Sequence, residues 1–159
     1  MKVFAGNNSI SYVYMGNLLG ARYSNSELFF NDKEMVDFKK VRETIGFRHG
    51  IDKLVTGINR GLKLCLMCSE KDPFDCHRFV LVSYALAKKG IEIKHILANG
   101  NIITNNELEE RLLVKYEIEY GHVMLFDTAK TREEVIDEGY EKRNYDIGYI
   151  GIPNVLSMS

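Results

Sequence analysis

The reactive side chains of this sequence gather in one stretch, Leu62 to Arg78, which reads LKLCLMCSEKDPFDCHR. Two thiols (Cys68 and Cys76), a carboxylate (Glu70), an imidazole (His77) and a guanidinium (Arg78) lie close together there. Three chemistries suit this set. A thiol in a first helical turn, beside an imidazole and an arginine, favours the thiolate that attacks electrophiles or exchanges disulfides. That makes Cys76 or Cys68 the candidate nucleophile or redox thiol, with Glu70 and His77 as catalytic partners. Alternatively, outward N–H groups at a helix start can hold a phosphate or carboxylate together with Arg78, Lys71, Ser69 and, from an earlier loop, Arg22. The third option is zinc, which accepts Cys68, Cys76 and His77 as ligands with Glu70 as fourth ligand or base. Side chains adjacent on one helix diverge by about 100°. A helical Cys76–His77 pair therefore argues against a shared ion, and no cofactor is expected. The plain structural reading stands beside all three: Arg78 as a clamp, Glu70 as a cap, and Cys65 turned into the core.

These residues need elements to position them. Leu62–Cys68 reads as a buried strand, Ser69–Pro73 as a loop, and Cys76–Lys89 as a helix capped by Asp75 and closed by Gly90. Ile91–Leu97 reads as the next strand, which completes a βαβ unit with parallel pairing and a right-handed crossover. Upstream, Tyr12–Met15 has strand composition and leads into a loop carrying Gly16, Gly20 and Arg22. Met35, Phe38, Val41 and Ile45 recur at helical spacing over Lys33–Ile45, with Asn31 or Asp32 as cap. A second helix is predicted over Phe47–Arg60, with Gly61 after it. Asn99-Gly100 between β-formers predicts a two-residue hairpin turn. Asn105 or Asn106 then opens a helix to about Tyr116, and Thr131 to Glu134 has the spacing of a capping box for a last helix to about Asn144. The prediction is one α/β domain over 1–145, with its core at 12–104, a helical part at 105–145 and a loose tail from Asp146.

Composition bounds the class. At 159 residues, 45% hydrophobic and 27% charged, the chain suits a single globular domain. No apolar run spans a bilayer, and no export signal is seen at the N-terminus. Three cysteines, an odd number, read as reduced thiols in the cytoplasm. Residues 1–100 carry 15 Lys and Arg against 10 Asp and Glu, and 101–159 carry 6 against 12. The motif therefore sits in the mildly basic part, which suits a small anionic partner. Nine tyrosines and eight phenylalanines offer stacking surfaces for nucleic acid, but no basic run accompanies them. His49, His95 and His122 have no partner at motif spacing.

Cys68-Ser69-Glu70-Lys71-Asp72-Pro73 followed by Cys76-His77-Arg78 resembles the signature of the bacterial and archaeal "domain of unknown function 488" family. The Leu19-Gly20-x-Arg22 loop and the hairpin from His95-Ile96 to Asn99-Gly100 also match, as does Asp146-Ile147-Gly148-Tyr149. The resemblance covers Tyr12 to Thr104. It departs from the family ahead of Tyr12, where members carry further strands, so the chain reads as N-terminally shortened. The resemblance implies a three-layer α/β sandwich with a mainly parallel central sheet and the motif at the carboxyl ends of its strands. It implies no reaction. The predicted function is a site for a phosphate- or nucleotide-like anion, with thiol-dependent hydrolase, transferase or redox chemistry as the enzymatic form. A non-catalytic binding module, with the motif structural, is the alternative.

Overall fold

The computed structural model describes residues 2–119 and 130–151. Its longer helices form where the local signals are strongest. The Thr44 side chain accepts the Phe47 N–H and starts α4 (Ile45–Asn59), which buries Phe47, Ile51 and Leu54 on one face. Gly50 lies on that face, and a Cβ there would meet Leu19 Cδ2 at 2.7 Å. Its missing side chain is what lets the short helix α2 (Gly16–Leu19) pack so closely. Gly61, at φ +80°, ends the run in the left-handed conformation glycine tolerates. The N-terminal stretch Lys2–Asn7 is also helical (α1).

The helix predicted over Lys33–Ile45 is shorter than its periodicity suggests. Asp37, not Asn31 or Asp32, caps it by accepting from Lys39 N–H, giving α3 (Phe38–Glu43). Residues 33–36 instead fold back, bridging Phe29 to Val36 and Met35 to Ile150.

The sheet departs most from expectation. Tyr12–Met15 and Leu62–Cys68 form no strand, although both have strand composition. Lys94–Ile96 (β1) pairs antiparallel with Ile102–Thr104 (β2), in the register His95 to Ile103. Gly100, at φ +84°, makes the turn. Among the described residues this two-stranded ribbon is the whole of the named sheet, so the parallel βαβ unit and the three-layer sandwich give way to a mixed, mainly helical fold. A strand exists only through its neighbour. Closing a short hairpin loop costs far less chain entropy than bringing two distant segments side by side, so β1 pairs locally. Cys65, predicted to point inside, is consequently exposed.

The predicted Cys76–Lys89 helix forms without a break from His77 to Ala87, but it starts one residue late and is π-type in its first part. Asp72 accepts the Phe74 N–H and opens a single 3₁₀ turn, Pro73–Asp75. Cys76 is extended, at φ −124° and ψ 141°. A π-type turn over Arg78–Ser83 then leads into α5 (Tyr84–Ala87). Both remaining helices begin with a full capping box. Thr104 with Glu107 starts α6 (Asn105–Lys115), and Thr131 with Glu134 starts α7 (Arg132–Ile147). Helix α7 thus takes in Asp146 and Ile147, and Gly151 N–H still bonds to Glu34 O. Among the described residues no helix is long and apolar enough to cross a membrane.

The core is centred on Phe79, fully buried among Phe74, His95 and Tyr140 with ring centroids at 5.9, 5.7 and 4.9 Å. A buried polar chain runs beside it. His95 Nε2 lies 3.0 Å from Asn105 Oδ1, and Asn105 Nδ2 donates to Glu109 (2.8 Å) and to Tyr140 Oη (3.1 Å). Asn105 is thus turned inward while Thr104 does the capping. Burial lowers the His95 pKa, only partly opposed by the Asn105 bond. The unfolded chain therefore binds more protons than the folded one once the pH falls below about 6.5. Stability contributed by neutral His95 is complete above that pH and is lost on acidification. The urea midpoint should fall between pH 7 and pH 5, and His95→Gln should show a shallower fall. Equal slopes in both proteins would exclude His95 as the source.

Candidate functional site

The site is built where the extended stretch ends. Cys68 closes it, Glu70 sits in the following loop, and Cys76 and His77 return after the 3₁₀ turn. Helices α6 and α7 hold that turn from outside. Arg111 Nη1 donates to Asp72 Oδ2 at 2.8 Å, with its guanidinium 4.1 Å from the centre of the Phe74 ring. Arg143, almost fully buried, donates from Nε to Phe74 O at 3.1 Å and pairs with Asp75. Neither arginine belongs to the signature motif or lies near it in sequence. A signal for Arg143 was present: it follows Ile136 and Tyr140 along the buried face of α7, where a cation needs a designated partner.

Pinned this way, four donor groups converge, with all their ligand atoms within 4.8 Å of one another. The Cys68 thiol donates to Glu70 Oε2 at 2.7 Å, and the Cys76 thiol to the same oxygen at 3.3 Å. His77 Nδ1 lies 3.4 Å from Cys68 Sγ and 3.9 Å from Cys76 Sγ. Ser69 Oγ donates to the other Glu70 oxygen, Oε1, at 3.0 Å. The Arg78 backbone N–H points at Cys76 Sγ (3.4 Å), and Arg78 Nη2 donates to Glu70 O (3.4 Å). The four residues proposed as catalytic are therefore together, with Ser69 and Arg78 supporting them. Lys71 is exposed. Arg22 is exposed too, with its guanidinium 5.0 Å from the Tyr149 ring centre. His49 is an exposed residue of α4, and His122 lies outside the described residues.

Electrostatics alter the roles expected of the thiols. Cys76 is fully buried, and burial drives its thiol pKa well up, reinforced by Cys68 and Glu70. It stands just before the helical run His77–Ala87 and its sulfur accepts the Arg78 N–H, a contact that opposes the rise without overcoming burial. Burial raises the Glu70 pKa, but hydrogen bonds from Cys68, its own backbone, Cys76 and Ser69 outweigh this and bring it to about 2. Burial also lowers the His77 pKa, and the Arg78 and Arg22 charges lower it further against Glu70. The cluster at neutral pH is thus a carboxylate, a neutral imidazole and a buried neutral Cys76 thiol.

Cys68 and Arg78 also line an open groove of about 490 Å³. Its walls are largely apolar and include Leu64, Leu66, Leu86 and Ile93.

The family described as "Domain of unknown function DUF488" matches residues 1–85, more than half the chain and including the whole Cys68–Arg78 signature. The protein belongs to the DUF488 family. No curated protein and no solved structure matches it. The DUF488 match ends within α5, so the arginines of α6 and α7 that pin the signature loop come from outside the matched region.

Burial and the raised thiol pKa set an order of reactivity in the metal-free protein. Iodoacetamide at neutral pH should modify Cys76 more slowly than exposed Cys65 or half-buried Cys68, and guanidinium should bring all three to similar rates. Peptide mass spectrometry reads the order. Cys76 reacting first in the folded protein would contradict the burial argument.

Proposed function

We propose that this domain binds a small ligand with an apolar body and an anionic end in the groove beside its signature loop. The observation that carries this reading is the groove itself, which Arg78 and Cys68 line together with apolar residues. Apolar surface supplies the affinity and the guanidinium supplies orientation, the usual division of labour in small-molecule sites. The mildly basic balance of residues 1–100 supports the same sign of ligand. Nucleic acid fits less well, because those walls are aliphatic and offer few rings for base stacking. Free thiols suit a reducing compartment, and we assign the protein to the cytoplasm.

A second reading, thiol chemistry at Cys68, is favoured by one contact, the 3.4 Å approach of His77 Nδ1. A neutral imidazole at that distance can take the thiol proton. The same thiol makes its shorter hydrogen bond, 2.7 Å, to the Glu70 carboxylate, so its proton points away from the imidazole. Binding is therefore the primary reading.

Two fluorescent probes test it: the apolar anion 1-anilinonaphthalene-8-sulfonate and its neutral relative N-phenyl-1-naphthylamine. A charge-assisted hydrogen bond is worth roughly 1.5–3 kcal/mol. Arg78→Met should therefore weaken the anionic probe by about tenfold or more and leave the neutral one nearly unchanged. Loss of both probes together, or of neither, would overturn the assignment of Arg78.

A further inference from the structure

The convergence of Cys68, Glu70, Cys76 and His77 explains more than ligand contact requires. Two sulfurs, one ring nitrogen and one carboxylate oxygen face a common point, and their ligand atoms lie within 4.8 Å of each other. Two adjacent residues within one helix would diverge by about 100°. Cys76 is instead extended while His77 is in the helical region, and this change of backbone conformation brings both side chains to the same side. The objection to a shared ion does not apply to this geometry.

From these residues we propose a site for one soft divalent cation of the zinc class, held by Cys68 Sγ, Cys76 Sγ, His77 Nδ1 and Glu70 Oε2. Zinc–sulfur bonds of about 2.3 Å and zinc–nitrogen or –oxygen bonds of about 2.0–2.1 Å fix the edges of the donor tetrahedron. A sulfur-to-nitrogen or sulfur-to-oxygen edge comes to about 3.5 Å at those lengths. The corresponding separations here are 3.4 and 3.9 Å to His77 and 3.3 Å from Cys76 to Glu70. The fourth, 2.7 Å between Cys68 and Glu70, is a thiol–carboxylate hydrogen bond, and it must lengthen by less than an ångström when the metal replaces the proton. Binding releases the two thiol protons to solvent and changes no oxidation state. Two thiolates, one carboxylate and a neutral imidazole carry −3, which a dication reduces to −1.

Outer contacts orient the donors as such sites require. Ser69 Oγ occupies Glu70 Oε1 and leaves Oε2 facing the sulfurs. The Arg78 N–H points at Cys76 Sγ, a contact that stabilises bound thiolate. Four protein donors fill a tetrahedron and leave no open position, so the ion is structural and not a generator of reactive water. It would tie the end of the extended stretch to the turn entering Arg78–Ser83.

Cobalt(II) titration of the full-length, metal-stripped protein is the test. The expected result is one ion per chain, with a thiolate charge-transfer band and visible bands of tetrahedral intensity. Cys68→Ser should lower affinity at least tenfold and roughly halve the charge-transfer band, while Cys65→Ser changes neither. Weak octahedral spectra, sub-stoichiometric uptake, or equal losses in the two variants would overturn the site. Buried Cys76→Ser risks misfolding, so an assay on the unmodified chain accompanies it. Stoichiometric zinc should slow iodoacetamide reaction at Cys68 at least tenfold and leave Cys65 unaffected; unchanged Cys68 rates would also reject the proposal. Both assays use the protein and the metal alone, so the site can fail while the reading of the groove stands, and the reverse.

Discussion

Phe79 is the joint on which the rest of the molecule turns. Its ring contacts Phe74 from the signature loop, His95 from the hairpin and Tyr140 from the last helix, so three separate regions share one buried surface. Burying an aromatic side chain is among the largest single contributions a core can make. The ring also fixes where the neighbouring backbone must run. With Phe79 in the core, Arg78 lies at its margin, and the chain just before it must carry Cys76 and His77 toward Glu70. The ordering of the reactive cluster is in this sense a by-product of apolar packing.

Polar groups refine what the ring positions. Arg143 reaches through the core boundary to the Phe74 carbonyl and Asp75, and Arg111 holds Asp72. Only Arg143 is buried, so removing its partners would leave an uncompensated charge in the core, whereas Arg111 and Asp72 are both partly exposed. Both cations belong to the C-terminal helices and both of their partners to the loop, so the acidic end of the chain acts as scaffold for the basic part. Each contact sets an arginine of the acidic part against an aspartate of the basic part, so it is the placement of single charges and not the net balance that joins them.

How much was legible in the sequence follows from how local each signal is. The capping box of α7 and the hairpin around Asn99-Gly100 involve residues a few positions apart and both form, although the turn is longer than two residues, with Leu97 N–H bonding to Asn101 O. The four clustered donors were legible because their residue types are rare together. Their geometry was not: a helical Cys76 was assumed, and the extended conformation there depends on the Asp72 cap, the Pro73 turn and the buried Phe79 acting together. The parallel sheet failed for a similar reason. Leu62–Cys68 has the composition of a central strand, but composition cannot supply the neighbour that makes it one. The Asn105–Glu109–Tyr140 chain joins residues whose partners lie up to 35 positions apart, beyond any spacing rule.

That same stretch, Leu62–Cys68, has a consequence for the protein's behaviour at high concentration. Leu62, Leu64 and Met67 are exposed, and the segment joins no ladder among the described residues. An extended apolar segment with unpaired amides is the template from which strand pairing between molecules begins. Lys63 is the one charge within it, and a lysine in such a segment opposes pairing between copies. The segment's consequence is therefore for association between molecules and not for the site.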